Sequence, residues 1–241
     1  MAKTVIVFTL VGLTVIAVTP FGIIALLFSL FGLKKIMFFL AYKVAQTWAF
    51  ILIGLSGSRV TVTGKENIPK KGGVCFVCNH GSIFDIIINL AYIGRPFGFI
   101  AKKELLLLPF LNAWILILGG LFIDRKNPKK GLKVINKGIK HLKKGGNILI
   151  FPEGSRSRGQ GLLPFKPGSF KLATQSGVPI IPVAISGSYD VFERNHRIKA
   201  VPVRIVFGPL ISLQDMPLEN RKQILAEKVR GIIEAALNTE T

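Results

Sequence analysis

From Thr4 to Leu33 the chain carries no ionisable side chain, a run of 30 residues bounded by Lys3 and by Lys34-Lys35. One membrane-crossing helix needs only about 20 apolar residues, so the run is long for a single straight passage, and Thr19-Pro-Phe-Gly22 is expected to interrupt it. A secretory leader fits poorly, because its apolar core would be about 7–15 residues long and end at a small-residue cleavage site. Lysines at both ends prefer the same, cytoplasmic side. A second apolar segment, Ile36–Leu55, contains Lys43 and Gln46, which suit an interface better than a bilayer centre. Residues 4–55 therefore read as two helices set into one leaflet, with a true span as the alternative. This divides the chain into an apolar membrane-anchoring part, 1–56, and a body, 57–241.

The body is strongly basic. Across the 241 residues, 32 Lys and Arg against 12 Asp and Glu leave a net charge of +20. Charged residues make up 18%, below the roughly one quarter usual in soluble domains, and the mean hydropathy is +0.50. Such a field attracts nucleic acid, an anionic lipid surface or an acidic carrier protein. The apolar N-terminus selects the membrane among these, and no nucleic-acid partner is expected. Cys75 and Cys78 are the two cysteines, too few for a disulfide framework. They lie three apart in a strand-like run, on opposite faces, so they cannot bridge and read as buried packing.

Beyond Gly57 short β-rich runs alternate with helical ones. Arg59–Thr63, Val74–Cys78, Phe97–Ala101, Leu121–Ile123, Asn147–Phe151, Ile180–Ser186 and Val203–Phe207 read as strands. Helices are expected over Ser82–Ile93, Pro128–Lys144, Gly168–Gln175 and Glu219–Leu237, the last with Ile224, Leu225, Val229, Ile232, Ile233 and Leu237 on one face. The alternation implies an α/β fold: a layered, mainly parallel sheet flanked by helices, with the N-terminal two-helix membrane-associating motif attached. Ligands of such sheets bind beyond the carboxyl ends of the strands.

Two strand ends carry the polar groups. Val74–Cys78 runs into Asn79-His-Gly-Ser-Ile-Phe-Asp85. Ser82 and Asp85 have the spacing of a helix N-cap, in which Asp85 would serve free amides of the first turn. The same placement lets Asp85 meet His80, fix its tautomer and leave the second ring nitrogen as a base. Spacing alone leaves both readings open. The second strand end, Phe151-Pro-Glu-Gly-Ser-Arg-Ser-Arg158, brings Arg156 and Arg158 among small residues. That composition suits a bidentate grip on phosphate, although most such pairs are solvated loops.

Four segments, Asn79–Asp85, Gly120-Leu-Phe-Ile-Asp-Arg125, Phe151–Arg156 and Val178-Pro-Ile-Ile-Pro182, resemble the four ordered blocks of the glycerolipid acyltransferases. The bacterial 1-acyl-glycerol-3-phosphate members are the nearest in pattern, over residues 57–210. The resemblance implies that His80 is the general base and Asp85 its orienting partner. It places Arg125, Glu153, Gly154, Ser155 and Arg156, with Arg158, at the phosphate of the acceptor. Lys102 or Lys103 matches a basic position near that phosphate, and the block around Pro179 is tied to the acyl donor or to structure.

The implied reaction is direct transfer of a fatty acyl group from a thioester, acyl-CoA or acyl carrier protein, to lysophosphatidic acid. No cofactor and no metal are expected: His80, His141 and His196 stand far apart, and His141 and His196 read as solvated. Backbone amides near Gly81–Ser82 are expected to face the oxyanion. Ser82 itself fits an N-cap better than a nucleophile. In the helix from Pro128, Leu132, Ile135, Ile139 and Leu142 form an apolar side, and lysines crowd the remainder, solvated or facing anionic headgroups or an acidic carrier. Leu105–Leu118 and Ile86–Ile93 are acyl-chain walls or ordinary core. The expected location is the cytoplasmic face of the inner membrane. Alternatives are acylation of glycerol 3-phosphate at its first hydroxyl or of another lysophospholipid, and a non-enzymatic membrane-binding module.

Overall fold

The computed structural model describes residues 2–28, 33–214 and 216–239. The stretch 29–32 of the uncharged run lies outside them. The N-terminal part forms α1 (Ala2–Phe28) and α2 (Lys34–Ser56). Both are apolar and long enough to cross a bilayer. The expected break at Thr19–Gly22 does not occur, and α1 continues through Pro20. Proline removes one helical N–H, but the Thr19 hydroxyl donates to the Val15 carbonyl at 2.7 Å and supports the turn beside it.

The two helices are joined to each other and to the body. Trp48 Nε1 donates to Thr14 Oγ1 at 2.9 Å. Gln46, which the sequence suggested for an interface, donates to the carbonyl of Ala91 at 2.9 Å, and the Tyr42 hydroxyl donates to Leu90 at 3.3 Å. These are carbonyls at the end of α3 (Phe84–Tyr92), which a helix leaves without intrahelical partners.

The body is one seven-stranded sheet. In chain order its strands are β1 (Arg59–Thr63), β2 (Val74–Cys78), β3 (Gly98–Lys102), β4 (Leu121–Ile123), β5 (Asn147–Ile150), β6 (Ile180–Ser186) and β7 (Pro202–Phe207). The spatial order is β1-β7-β6-β2-β5-β3-β4. Strands β6, β2, β5, β3 and β4 are parallel neighbours, and β7 is antiparallel to β6. β2 is central and buried along its whole length, as the unbroken apolar run Val-Cys-Phe-Val-Cys requires. The Asn147 side chain fixes its entry, accepting from Val74 N–H at 3.1 Å and donating to Pro96 at 2.8 Å.

Two cores flank the sheet. Val74, Phe76 and Cys78 point to the side covered by α1, α2, α3 and α4 (Leu111–Ile117). Cys75 and Val77 point to the side covered by α5 (Pro128–Lys143), α6 (Lys171–Ser176) and α8 (Arg221–Asn238). The two thiols thus lie on opposite faces, both buried.

Several expected elements divide differently. On α5, Ile139 and Leu142 are buried but Leu132 is 44% exposed, and Ile224 of α8 is also exposed. A surface helix buries one stripe, so the outermost apolar positions of a predicted face can stay in solvent. His141 is half-buried rather than solvated, its ring lying against the backbone of Gly146. In Leu105–Leu118, Trp114, Ile115 and Leu118 are core, whereas Leu106, Leu107, Leu108, Phe110, Leu111 and Leu116 are exposed.

Candidate active site

Strands β2 and β5 are parallel neighbours in register, Val77 opposite Ile150. Whatever follows them leaves the sheet at the same edge and side by side. Asn79 sets the departure point. Its side-chain amide donates to the carbonyl of Ile185 at 2.9 Å, and its oxygen accepts from Ile185 N–H at 2.8 Å, extending the ladder to β6 by one step.

His80 comes next. Its Nδ1 lies 2.9 Å from Asp85 Oδ2, the same oxygen that accepts the Ser82 N–H at 2.9 Å. The second oxygen, Oδ1, accepts the Ser188 hydroxyl at 2.6 Å. The two roles open for Asp85 are therefore held together: one oxygen caps the entry to α3 and meets the imidazole. Asp85 is fully buried, and three donors compensate the burial of its charge. An ionised carboxylate only accepts, so in this contact Nδ1 is the donor and Nε2 is the ring nitrogen left outside it. The ring stacks on Phe151 at 4.0 Å between centroids, and 18% of the side chain remains accessible. Ser82 stands one residue before Ile83, which holds the cap position of α3, and its Oγ accepts from Phe84 N–H at 3.0 Å, supporting the entry to the helix. Its own N–H, expected near the oxyanion, is instead committed to Asp85.

The loop after β5 grips the other side of His80. Glu153 is buried, with Oε1 accepting from His80 N–H at 2.6 Å and Oε2 from Leu163 N–H at 3.1 Å. Burial raises the Glu153 pKa, and the two amide bonds oppose that rise. The resemblance set Glu153 among phosphate-binding residues; here both oxygens face inward onto backbone amides, so it ties the two loops together. Ser157 N–H then donates to the His80 carbonyl at 2.7 Å.

The cations gather along this edge. Arg125 donates to the carbonyl of Gly154, whose φ of 76° suits glycine. The Lys166 ammonium comes so close to Gly154 that a Cβ there would lie 2.9 Å from it. Arg156 is partly exposed and pairs with Glu193 at 2.6 Å. Ser155 and Arg158 are exposed in the same loop, and Lys102 is exposed at the end of β3. Lys103 pairs with Asp124 at 2.8 Å.

Four contributors escaped the sequence reading: Phe151 as a stacking surface, Lys166, Ser188 and Glu193. Ser188 and Glu193 follow β6, which neighbours β2 on its other side. Applying the strand-end rule to Ser186-Gly-Ser188 as well as to β2 and β5 would have reached Ser188.

The mainly parallel sheet thus brings a His–Asp pair at the carboxyl end of its central strand and the arginines of the adjoining loop to one edge, the arrangement an enzyme acting on an anionic substrate would need. The chain belongs to the acyltransferase family, whose family model, described as Acyltransferase, matches residues 59–186. A 1-acyl-sn-glycerol-3-phosphate acyltransferase of Borreliella burgdorferi is 35% identical over 190 residues, 78% of this chain and 76% of the relative. The enzyme of that description from Escherichia coli is 33% identical over 186 residues, 76% and 74% of the two chains. The crystal structure of the 1-acyl-sn-glycerophosphate (LPA) acyltransferase PlsC from Thermotoga maritima superposes with a TM-score of 0.83. It has 25% identity and spans 100% of this chain and 97% of that one.

Proposed function

We propose that the protein transfers a fatty acyl group from an acyl thioester, acyl-CoA or acyl carrier protein, to the sn-2 hydroxyl of 1-acyl-glycerol 3-phosphate, giving phosphatidic acid. The observation that carries this reading is the contact of His80 Nδ1 with buried Asp85, stitched through the His80 peptide to the loop that bears Arg156. The relatives named above act on this acceptor. The work is done at the cytoplasmic face of the inner membrane, with α1 and α2 in one leaflet. The thioester is a co-substrate, and no further cofactor enters.

In this mechanism His80 Nε2 removes the hydroxyl proton as the oxygen attacks the thioester carbonyl. The tetrahedral intermediate collapses, the carbon–sulfur bond breaks, and the imidazolium returns the proton to the departing thiolate. Asp85 holds the tautomer and stabilises the imidazolium. General-base assistance of this kind is worth about 10²–10⁴ in rate. Arg156 and Arg125 hold the acceptor phosphate, with Ser155, Arg158, Lys166 and Lys102 around it. Glu153 positions His80.

The test is purified protein offered lysophosphatidate or glycerol 3-phosphate with acyl-CoA or acyl carrier thioester. Phosphatidate from the first acceptor is expected, and His80→Ala should abolish it while leaving lysophosphatidate binding intact. Acylation of glycerol 3-phosphate alone would overturn the acceptor assignment, and near-normal turnover by folded His80→Ala would overturn the base.

A further inference from the structure

Glu193 lies on the turn after α7 (Ser188–Val191), 37 residues beyond Arg156 and 111 beyond Ser82 in sequence. Its carboxylate gathers groups from both loops of the site. Oε1 accepts from Arg156 Nη1 at 2.6 Å and from the N–H of Ile83 at 3.1 Å. Oε2 accepts the Ser82 hydroxyl. Ile83 immediately precedes α3, so the carboxylate also sits at the positive end of that helix. Its side chain is 13% exposed. A carboxylate anchored at two points of a helix start is a fixed object, and a guanidinium held against it is fixed in turn.

We propose that Glu193 is a positioning residue for the acceptor phosphate. It holds Arg156 in the orientation that receives the phosphate, and it couples that orientation to the His80–Asp85 pair. The coupling runs through Ser82, whose hydroxyl donates to Glu193 while its N–H donates to Asp85. Of the five N–H donors of a guanidinium, the contact to Glu193 uses one on Nη1, and the rest of the planar fork can meet phosphate oxygens in pairs. Arginine is long and flexible when unsupported. Arranging it before the lipid arrives removes an ordering cost from binding without adding any contact to the reacting carbonyl. The effect therefore belongs to acceptor affinity and not to the acyl-transfer step. The proposal rests on the reading that Arg156 binds the acceptor phosphate.

The measurement is steady-state kinetics of the full chain in detergent micelles, varying 1-acyl-glycerol 3-phosphate and acyl-CoA separately, for wild type, Glu193→Gln, Arg156→Ala and the double variant. Glutamine keeps an oxygen for the Ile83 N–H but carries no charge for Arg156. The expected result for Glu193→Gln is an acceptor KM raised about tenfold, the loss of one good ionic contact, with kcat and donor KM unchanged. The double variant should show the acceptor KM of Arg156→Ala alone, because Glu193 acts through that arginine. An unchanged or lowered acceptor KM for Glu193→Gln would overturn the proposal. A lowered value would mean that the carboxylate competes with phosphate for Arg156. A parallel change in both KM values and kcat with a fall in Tm would also overturn it, as a structural role. Should Glu193→Gln fail to fold, Ser82→Ala removes one anchor of the carboxylate and is expected to raise acceptor KM by a smaller factor. No rise there would sink the proposal. If Arg156→Ala itself leaves acceptor KM untouched, the parent reading of Arg156 fails; if only Glu193→Gln does, the parent reading stands.

Discussion

The backbone N–H of Ser157 donates to the carbonyl of His80 at 2.7 Å. On the other side of the same residue, the N–H of His80 donates to Glu153 at 2.6 Å. The backbone that carries the imidazole is thus held at both its polar atoms by the loop that carries Arg156. A shift of one loop relative to the other must stretch both bonds, so the separation of the His80 and Arg156 backbones is set by the chain, while the guanidinium itself is held by Glu193. Parallel pairing of β2 with β5 makes this possible, since it delivers both chains to one edge.

Glu153→Ala leaves the His80 and Leu163 amides without their acceptor in a buried place. A buried unsatisfied donor costs about 1–3 kcal/mol, so a loss of at least about 2 kcal/mol is expected. For a chain of this size that is a Tm drop of several degrees, on the order of 2–4 °C per kcal/mol. Turnover should fall with it, because His80 loses its backbone tether. The pH dependence has a definite sign. Burial raises the pKa of Glu153 above its ordinary value of 4.5, so the folded state binds this proton more tightly than the unfolded chain. The stability from this proton is complete below about 4.5 and declines as pH climbs through the raised value. Glu153→Gln cannot titrate, so the Tm advantage of wild type over it should narrow with rising pH across the weakly acidic range. A gap that widens would show that the amide bonds, not burial, govern this carboxyl.

Asp85→Asn preserves shape while removing the charge opposite Nδ1. The neutral amide can present its NH2 to the ring, favouring the wrong tautomer, and it stabilises an imidazolium poorly. The expected loss is in kcat, about 10²–10⁴, with acceptor KM within a factor of about two. Steady-state kinetics with circular dichroism as a folding control separates the two. Retention of kcat by a folded Asp85→Asn protein would remove the carboxylate from the mechanism.

The site was legible where one short segment carries several polar groups at fixed spacing. His80 and Asp85 belong to the same strand end and helix start, and Arg156 lies in one unbroken loop, so sequence neighbours are spatial neighbours. Ser188 and Glu193 were not legible for the opposite reason. They reach Asp85 and Ser82 across sequence separations of 103 and 111 residues, through the pairing of β6 with β2. A lone serine and a lone glutamate in a turn-rich stretch carry no periodicity. Glu153 stood in the right loop, but spacing does not reveal whether a loop side chain faces the crevice or the backbone behind it. For the fold, apolar runs with β-branched residues marked the strands well. The continuity of α1 through Pro20 was not legible, because a proline in an apolar run reads as a break although such a helix can carry one.

The buried cysteines give a chemical probe of the sheet. Burial pushes the Cys75 thiol up to about 12 and holds Cys78 well above the ordinary range, with Asp85 adding to the effect at Cys78. The thiolate is the reactive form, so neither should react with a thiol reagent at pH 8 in the folded protein, and both should react in guanidinium. For a thiol raised above its ordinary 9.0, the stabilising contribution is complete below that value and is lost as pH rises towards 12. Cys75→Ser and Cys78→Ser comparisons by alkaline denaturation read that loss. Rapid labelling of the native protein would mean that the β2 strand opens locally.

Leu107 and Leu218 are matched in exposure, 82% and 85%, but belong to opposite edges of the sheet. Leu107 follows β3, which runs with β2, so it lies on the side of His80. Leu218 follows β7, which runs the other way. Around Leu107 the exposed Leu106, Leu108, Phe110 and Leu111 form an apolar ridge that continues into α4. The flank of α4 meets α1, where Gly22 packs on Trp114 and Ile117. A contiguous apolar surface of this kind marks a membrane or partner contact, and its continuity with α1 favours the membrane. The expected outcome is that Leu107→Trp gains fluorescence quenching by vesicles of phosphatidylglycerol brominated along the acyl chains, beyond the background of Trp48 and Trp114. Leu218→Trp should gain none. Quenching at Leu218 but not Leu107 would reverse the orientation and leave the His80 edge facing water. Equal quenching at both positions would mean that the sheet has no fixed attitude to the bilayer. Quenching confined to Leu107 would set the carboxyl edge of the parallel strands against the lipid surface, where an acceptor with one acyl chain in the leaflet can present its phosphate to Arg156 without leaving the membrane.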